Sequence, residues 1–223
     1  MFRSSRPSHE FSNRHDAGKA LAERLKDFAG RNDVVVLALP RGGVPVAYEV
    51  ARALDAPLDV FVVRKLGVPG HEELAMGAIA SGDVRVLNQD VLNWYGLSEA
   101  DVDAVSRVEK GELERREQLY RGTRPLTPIA SRTAIVIDDG LATGSTMRAA
   151  VEAVRRLNPA RIVVAVPVGA EDTCDQLRKT ADEAICLLTP ASFSAVGQWY
   201  LDFSQTTDDE VRSLLASAGN SRA

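Results

Sequence analysis

The chain has little of several residue types, and each shortage narrows what the protein can be. Among its 223 residues are two cysteines and three histidines, and aromatic residues make up 5%. The histidines, His9, His15 and His71, are dispersed and lack the spacing of a zinc site. Cys174 and Cys186 have no cluster of partner ligands, so we expect two reduced, incidental thiols of a cytoplasmic protein.

The sequence also has no long run of apolar residues or of basic residues. No stretch of 18 apolar residues occurs, which argues against a membrane-spanning helix and a membrane partner. The polar segment 1–15 lacks the apolar core of a secretory signal. There is no extended lysine and arginine run and the net charge is −4, so we expect no nucleic-acid partner. The hydrophobic fraction of 45% and charged fraction of 26% are typical of a globular protein.

The chain alternates apolar strands with amphipathic helices. Continuous apolar runs at 34–39 and 133–137 indicate strands buried on both faces. This alternation predicts an α/β fold, an open, mostly parallel twisted sheet flanked by helices, with a small hood or insert. The predicted organisation is a flexible arm at 1–12, an α/β domain at 13–188 with an insert at about 75–128, a C-terminal cover segment at 189–216 and a disordered tail at 217–223.

Between the first strands and the second half of the chain, local patterns predict further elements. Residues 64–73 follow a strand at 58–63 and have the polar, Gly- and Pro-bearing character of a loop able to close over a site. His71, Glu72 and Glu73 are either acid–base or magnesium groups of that loop or simply exposed charges. Residues 75–80 and 84–87 indicate a hairpin, and 98–120 a long helix with a Ser98–Asp101 capping box.

Residues 135–146, Ile-Val-Ile-Asp-Asp-Gly-Leu-Ala-Thr-Gly-Ser-Thr, carry the strongest functional signal. Asp138 and Asp139 follow a buried strand at its carboxyl end, where ligands of open α/β sheets bind. Two acceptor-only side chains at this place suit a ligand with vicinal hydroxyls, such as a ribose. The alternative is an ordinary turn between a strand and a helix.

The loop after the acidic pair offers backbone N–H groups and hydroxyls at the start of a helix. Such a helix N-terminus is an anion site for a phosphate. A diol site beside a phosphate site describes a ribose 5-phosphate. The predicted 5-phosphate residues are Ala142, Thr143, Gly144, Ser145 and Thr146.

Two other groups follow strands and carry the chemistry of a phosphate-binding site. Gly42 and Gly43 let backbone N–H groups approach a ligand, and Arg41 offers a planar fork for phosphate oxygens. Arg64 and Lys65 come directly after the second predicted strand, where two cations can neutralise anionic charge; under the resemblance described below, that charge is the leaving pyrophosphate. The alternatives are a strand–helix turn and a solvated basic pair.

The segment 135–146 resembles the signature of the type I phosphoribosyltransferases, which bind phosphoribosyl pyrophosphate with Mg²⁺. The resemblance implies a cytoplasmic enzyme that transfers ribose 5-phosphate to a nitrogenous base or other nucleophile and releases pyrophosphate. Its partners would be phosphoribosyl pyrophosphate and a small-molecule acceptor, and a homodimer is compatible with it. In this family the loop matching 40–43 binds the pyrophosphate, often with an unusual peptide geometry. A non-catalytic regulator with the same fold, which senses phosphoribosyl pyrophosphate or a nucleotide, is the alternative.

The resemblance also implies the roles of the acids and of the tail. Asp138 and Asp139 would be catalytic and would bind Mg²⁺, with Asp202 as a further metal candidate. Where hypoxanthine–guanine enzymes have an Asp credited with handling the base proton, this chain has Ala142, so adenine or a non-standard acceptor is expected instead. Aromatic side chains near the tail either stack on a base or seal the sheet edge; the stacking candidates are Phe193, Trp199 and Tyr200.

Overall fold

The structure is a computed structural model that describes residues 10–220. Its elements alternate as the sequence predicts. The strands are β1 (Val34–Ala38), β2 (Leu58–Val60), β3 (Val63–Val68), β4 (His71–Ala80), β5 (Val84–Leu87), β6 (Thr133–Ile137), β7 (Arg161–Val168) and β8 (Glu183–Leu188). The helices are α1 (Arg14–Arg24), α2 (Gly43–Leu54), α3 (Gln89–Tyr95), α4 (Glu99–Arg121), α5 (Ser145–Arg156), α6 (Glu171–Thr180) and α7 (Asp208–Asn220).

A five-stranded parallel sheet forms the centre of the molecule, in the order β2-β1-β6-β7-β8. The chain moves outward from β1 to β2 on one side and from β6 to β8 on the other. The order therefore reverses between β1 and β6, and ligands of open α/β sheets bind at such a switch point. The prediction of a mostly parallel α/β sheet is confirmed.

Both faces of this sheet are buried, which explains the continuous apolar runs in its strands. Side chains alternate between the faces because successive strand residues point in opposite directions. Val34 and Val36 pack with α1, α2 and α7 on one face. Val35 and Leu37 pack with α5 and α6 on the other face.

The hood is a separate antiparallel sheet in the order β3-β4-β5. It begins at Val63, so the insert starts about a dozen residues before the predicted position of 75. The prediction of a loop at 64–73 is wrong, because β3 and β4 pair across a tight turn at Pro69 and Gly70. Gly70 has φ +77°, which explains why a glycine stands in this turn. The predicted hairpin of β4 and β5 is confirmed.

Helix α4 carries the chain from the hood back to the central sheet. Its capping box is confirmed, since the Ser98 side chain accepts from the Asp101 N–H and the Asp101 carboxylate accepts from the Ser98 N–H. Its narrow apolar side packs Val102 and Leu113 onto the hood. Within residues 10–220, no helix has both the length and the apolar character needed to cross a bilayer.

The N-terminal end of the described chain meets the segment 200–202 at the carboxyl edge of the sheet. Phe11 is buried and forms a parallel bridge with Tyr200, with Leu201 N–H donating to the Phe11 carbonyl at 2.8 Å. The prediction of a flexible arm is therefore wrong for residues 10–12, and residues 1–9 lie outside the described part. The prediction of a disordered tail is wrong for 217–220, which continue α7, while 221–223 also lie outside the described part.

The two cysteines form a disulfide between α6 and β8, so the expectation of reduced thiols is wrong. The physical reason is the path of the chain, since α6 runs back over the sheet and places Cys174 beside Cys186 on the next strand. Their Cα atoms lie 6.6 Å apart, within the range that a disulfide spans. The inference of a cytoplasmic location from reduced thiols loses its basis.

Candidate functional site

The loops after β1 and β6 touch at the switch point of the sheet. Leu39 N–H donates to the Ile137 carbonyl at 2.9 Å and so brings the two strand ends together. A Cβ added to Gly42 would lie 2.7 Å from Asp139 Cγ. A Cβ added to Gly43 would lie 2.7 Å from the carbonyl oxygen of Ile137. Only glycine fits at these positions, so the two predicted ligand loops form one surface. The peptide bond between Pro40 and Arg41 is cis.

Asp139 is held from several directions. Its carboxylate accepts a hydrogen bond from Arg14 Nε at 2.8 Å, and the side chains are 11% exposed for Arg14 and 14% for Asp139. Its backbone carbonyl accepts from Tyr200 Oη at 2.6 Å. The carboxylate is therefore both paired and fixed in direction at the ligand edge of the sheet.

Asp138 is half-buried and turns back on its own chain, where its Oδ1 accepts the Asp139 N–H at 2.9 Å. Burial raises the pKa of the Asp138 carboxyl well above its ordinary value, and the neighbouring Asp139 charge raises it further. The two adjacent carboxyl groups therefore have unequal surroundings, because only Asp139 accepts a hydrogen bond from Arg14.

The predicted phosphate loop forms the start of α5. Gly144 is the residue before the helix, with φ +66°, and the side chains of Thr143, Ser145 and Thr146 are exposed. The first amides of a helix have no partner within it, so those of Ser145 and Thr146 are free to bind an anion. The sequence prediction of exposed hydroxyls at a helix N-terminus agrees with this geometry.

Helix α6 supports the phosphate loop 142–146 through contacts of Thr173. Thr173 Oγ1 donates to the Ala142 carbonyl at 2.8 Å, and a Cβ added to Gly144 would overlap the Thr173 methyl group. Arg148 Nη1 donates to the Thr143 carbonyl at 2.8 Å from within α5. These contacts occupy the carbonyls of Ala142 and Thr143 and hold the loop in place.

Arg64 and Lys65 lie on hood strand β3 rather than at the end of a parallel strand, so their predicted placement is wrong. The reason is that β2 already ends at Val60 and the chain then turns into the hood. Arg64 pairs with Glu109 of α4 at 2.6 Å. Both cations nevertheless line a cavity of about 640 Å³ together with Thr146 of the phosphate loop. Their role at a pyrophosphate stays a prediction.

The aromatic residues of the tail pack against the sheet edge. Tyr200 is 1% exposed and lies between the rings of Phe11 and Phe203, at centroid distances of 5.6 and 5.0 Å. It has no face open to a ligand, so the structure contradicts its predicted stacking role. Phe193 and Trp199 are half-buried beside the same cluster, and stacking by these two stays a prediction.

Asp202 is exposed and turned toward its own segment, where the Ser204 N–H donates to it at 2.9 Å. Hydrogen bonds from Ser204 hold the pKa of Asp202 below its ordinary value. Among residues 10–220, no three carboxylate, imidazole or thiolate side chains are grouped so as to hold a metal ion. A metal role of Asp138, Asp139 and Asp202 stays a prediction.

Sequence reasoning missed three contributors to this edge. Arg14 and Thr173 contact the ligand loops as described above. Asp208, the first residue of α7, accepts from Tyr120 Oη at 2.6 Å and lies 3.7 Å from Arg41 Nη1. All of these contacts join parts of the chain far apart in sequence, so no local pattern predicts them.

Comparisons with known proteins agree with this arrangement. A family model described as the phosphoribosyl transferase domain matches residues 11–203. A protein from two strains of Mycobacterium tuberculosis, provisionally named a phosphoribosyl transferase, is 51% identical over 208 residues, which is 93% of this chain and 47% of the relative. The chain thus spans about half the length of the curated relatives it matches. The crystal structure of the protein TT1426 from Thermus thermophilus is 40% identical, with a TM-score of 0.85 over 93% of this chain and 98% of that one.

Proposed function

Because the chain belongs to the phosphoribosyl transferase domain family, we propose that it binds phosphoribosyl pyrophosphate with Mg²⁺ and transfers the ribose 5-phosphate to a small nucleophile. The observation that carries the proposal is the meeting of three parts at one sheet edge. The acidic pair Asp138 and Asp139, the phosphate loop 142–146 and the glycine loop 40–43 are adjacent there. These parts match the ribose diol, the 5-phosphate and the pyrophosphate of one ligand.

In the proposed reaction, the nucleophile forms a bond to C1 of the ribose. The bond from C1 to the pyrophosphate oxygen breaks, and its electron pair leaves with the pyrophosphate. Positive charge develops on the ribose ring, and the carboxylates of Asp138 and Asp139 stabilise it. Arg41, Lys65 and the amide of Gly42 neutralise the leaving group, whereas the predicted role of the Gly43 amide is wrong because it donates to the Leu39 carbonyl at 3.1 Å. The loop 142–146 holds the 5-phosphate and fixes the orientation.

The donor set is compatible with Mg²⁺ bound partly through the substrate. Mg²⁺ in phosphate-transferring sites commonly uses one or two carboxylates, the substrate phosphates and water. Asp138 and Asp139 supply the two carboxylates, and no third protein ligand is needed in that mode. When bound, the ion would neutralise charge on the pyrophosphate oxygens.

The acceptor is a nucleophile that needs no carboxylate in the phosphate loop. Ala142 is exposed, and its methyl group cannot transfer a proton. We therefore expect turnover with adenine or with a non-standard acceptor, and no efficient turnover with hypoxanthine or guanine. If Phe193 and Trp199 stack on the acceptor, replacing either by alanine should weaken acceptor binding by about 1–3 kcal/mol and leave phosphoribosyl pyrophosphate binding nearly unchanged.

A second candidate function is a sensor that binds the same ligand without turnover. The observation that favours it is again Ala142, since the loop that touches the ligand offers no proton-transferring side chain. A sensor would use the same sheet edge but would need only binding and a resulting change elsewhere.

One experiment separates the two functions. The protein is incubated with phosphoribosyl pyrophosphate, Mg²⁺ and a panel of bases and amines, and pyrophosphate release is followed beside calorimetric binding. Release that depends on an acceptor supports the transferase. Binding without release from any acceptor supports the sensor, and the absence of both contradicts the proposal. The variant with Asn at 138 and 139 is the control for site-specific release.

A further inference from the structure

We propose that Arg14 is a positioning residue of this site, which acts through Asp139 and joins the acidic pair to the C-terminal segment 200–204. The inference rests on the function proposed above and deepens it. It concerns a side chain from the start of α1, far in sequence from both loops that hold the ligand in the proposal.

Arg14 makes three contacts with two separate parts of the chain. Its Nε donates to Asp139 Oδ2 at 2.8 Å, and its Nη1 donates to the Ser204 carbonyl at 2.7 Å. Its guanidinium carbon lies 3.9 Å from the centre of the Phe203 ring, which is a cation–π distance. The planar guanidinium can make these contacts together because its donors point in fixed directions.

The backbone at Arg14 is itself held in place. The preceding residue, Asn13, caps α1 by accepting the Asp16 N–H at 3.0 Å. The neighbouring Phe11 is buried and bridged to Tyr200. The arginine therefore extends from an anchored helix start and is not a loose surface side chain.

The position of Asp139 explains why a cationic side chain lies beside it. It stands next to Asp138, and two adjacent carboxylates disfavour each other's charged form. Arg14 engages one oxygen of Asp139, Oδ2, and leaves Oδ1 without contact to Arg14. Gly42 lies against the same carboxylate, so its freedom to rotate is small. The result is a carboxylate held in place through Oδ2, whose other oxygen makes no hydrogen bond with Arg14.

The contacts with Phe203 and Ser204 extend this role to the cover segment. One guanidinium contacts the acid that faces the ribose and the segment that closes the sheet edge. A change in either part is therefore transmitted to the other. We expect loss of Arg14 to affect the transfer step and the affinity for phosphoribosyl pyrophosphate, more than it affects overall stability.

The test is a double-mutant cycle on the full chain, using Arg14→Met, Asp139→Asn and their combination. Met keeps the length and apolar stem of the side chain and removes the fork. Arg14→Met should lower kcat/KM for phosphoribosyl pyrophosphate by about tenfold, and have little further effect in the Asp139→Asn background. Arg14→Lys should restore part of the loss, because it keeps the charge without the fork.

Arg31→Met is the matched control, since Arg31 forms an exposed pair with Asp33 at 2.7 Å away from the site. It should leave kcat/KM unchanged. Equal effects of Arg14→Met in both backgrounds, or full activity of the single variant, would overturn the inference while the wild type remains active. If Arg14→Met does not fold, Arg14→Lys carries the test, and wild-type kcat/KM in that variant overturns it. A wild type that neither binds nor turns over the ligand refutes the proposed function, and this inference with it.

Discussion

Thr173 Oγ1 donates a hydrogen bond of 2.8 Å to the carbonyl of Ala142, and through this bond helix α6 supports the loop that begins α5. The same side chain places its methyl group against Gly144. The proposed phosphate site is thus shaped by a helix that carries no predicted ligand residue. Substitutions where Thr173 contacts Gly144 should therefore affect phosphate binding by displacing the loop.

Gly144→Ala should weaken binding of phosphoribosyl pyrophosphate. A side chain at φ +66° costs about 1–2 kcal/mol, and the new Cβ would overlap the Thr173 methyl group, so the loop must move. Calorimetry should show at least about tenfold weaker binding for a loss of ~1.4 kcal/mol. The control is Gly111→Ala in α4, where a Cβ meets no neighbour within 4 Å and Ala should stabilise the helix by about 1 kcal/mol. Unchanged affinity in Gly144→Ala would refute a phosphate site in this loop.

Replacing both Asp138 and Asp139 by Asn should retain the fold and weaken phosphoribosyl pyrophosphate binding by roughly 2–4 kcal/mol. Charge-assisted hydrogen bonds contribute about 1.5–3 kcal/mol each and are not additive. Calorimetry measures the loss, and Asp33→Asn, at an exposed pair remote from the site, serves as the control. Equal affinities of the double variant and the wild type would show that this pair does not bind the ribose.

Because of the disulfide, we expect the stability of the protein to depend on redox conditions. Cys174 and Cys186 are 12 residues apart, and closing a loop of this size stabilises a fold by about 3 kcal/mol in the chain-entropy description. Replacing both by Ser should lower the free energy of unfolding by that order, measured with urea. Addition of a reductant should destabilise the wild type and leave the variant unchanged. The same response of both proteins to the reductant would argue against the bond.

Because the pKa of Tyr120 is raised, we expect the protein to lose stability at alkaline pH. Burial, followed by the hydrogen bond to Asp208, raises the pKa of Tyr120 to about 12 from its ordinary value of 10.0. The folded protein therefore holds this proton more tightly than the unfolded chain. The resulting stabilisation is complete below pH 10 and is lost as the pH rises through about 12.

Tyr120→Phe tests this linkage. It should lower the free energy of unfolding at pH 7 by about 1–2 kcal/mol through the lost hydrogen bond. It should also flatten the decline between pH 10 and 12 in urea titrations. Tyr95→Phe, at the exposed last residue of α3, should change neither quantity. A Tyr120→Phe variant with the wild-type alkaline decline would show that another group causes it.

Local sequence patterns predicted the central layer closely, because its signals lie within single elements. The apolar run at 133–137 has the bounds that the structure gives to β6, and the run at 34–39 ends one residue after β1. The phosphate loop 142–146 could likewise be predicted, because its signal lies in adjacent residues. Burial on both sheet faces makes such runs unambiguous, since any shift would expose apolar side chains.

The hood and the supports of the site could not be predicted in the same way. The polar residues around Pro69 and Gly70 have loop composition, yet strand pairing at 63–80 satisfies their backbone groups. Arg14 and Asp139 are 125 residues apart, and Tyr200 meets Asp139 across 61 residues. The stacking role assigned to Tyr200 failed for this reason, because its burial depends on Phe11 at the other end of the domain.

The contact between Arg14 and Ser204 has a consequence for how the protein is made. The two residues are 190 positions apart, so at about 5–20 residues per second roughly 10–40 s separate their synthesis on the ribosome. During that interval the acidic pair is translated and its strand can enter the sheet, but the segment that contacts Arg14 does not yet exist. The contacts that orient Asp139 are therefore complete only after Ser204 has been synthesised, and a nascent chain halted before Ser204 has Asp139 without the full set of them.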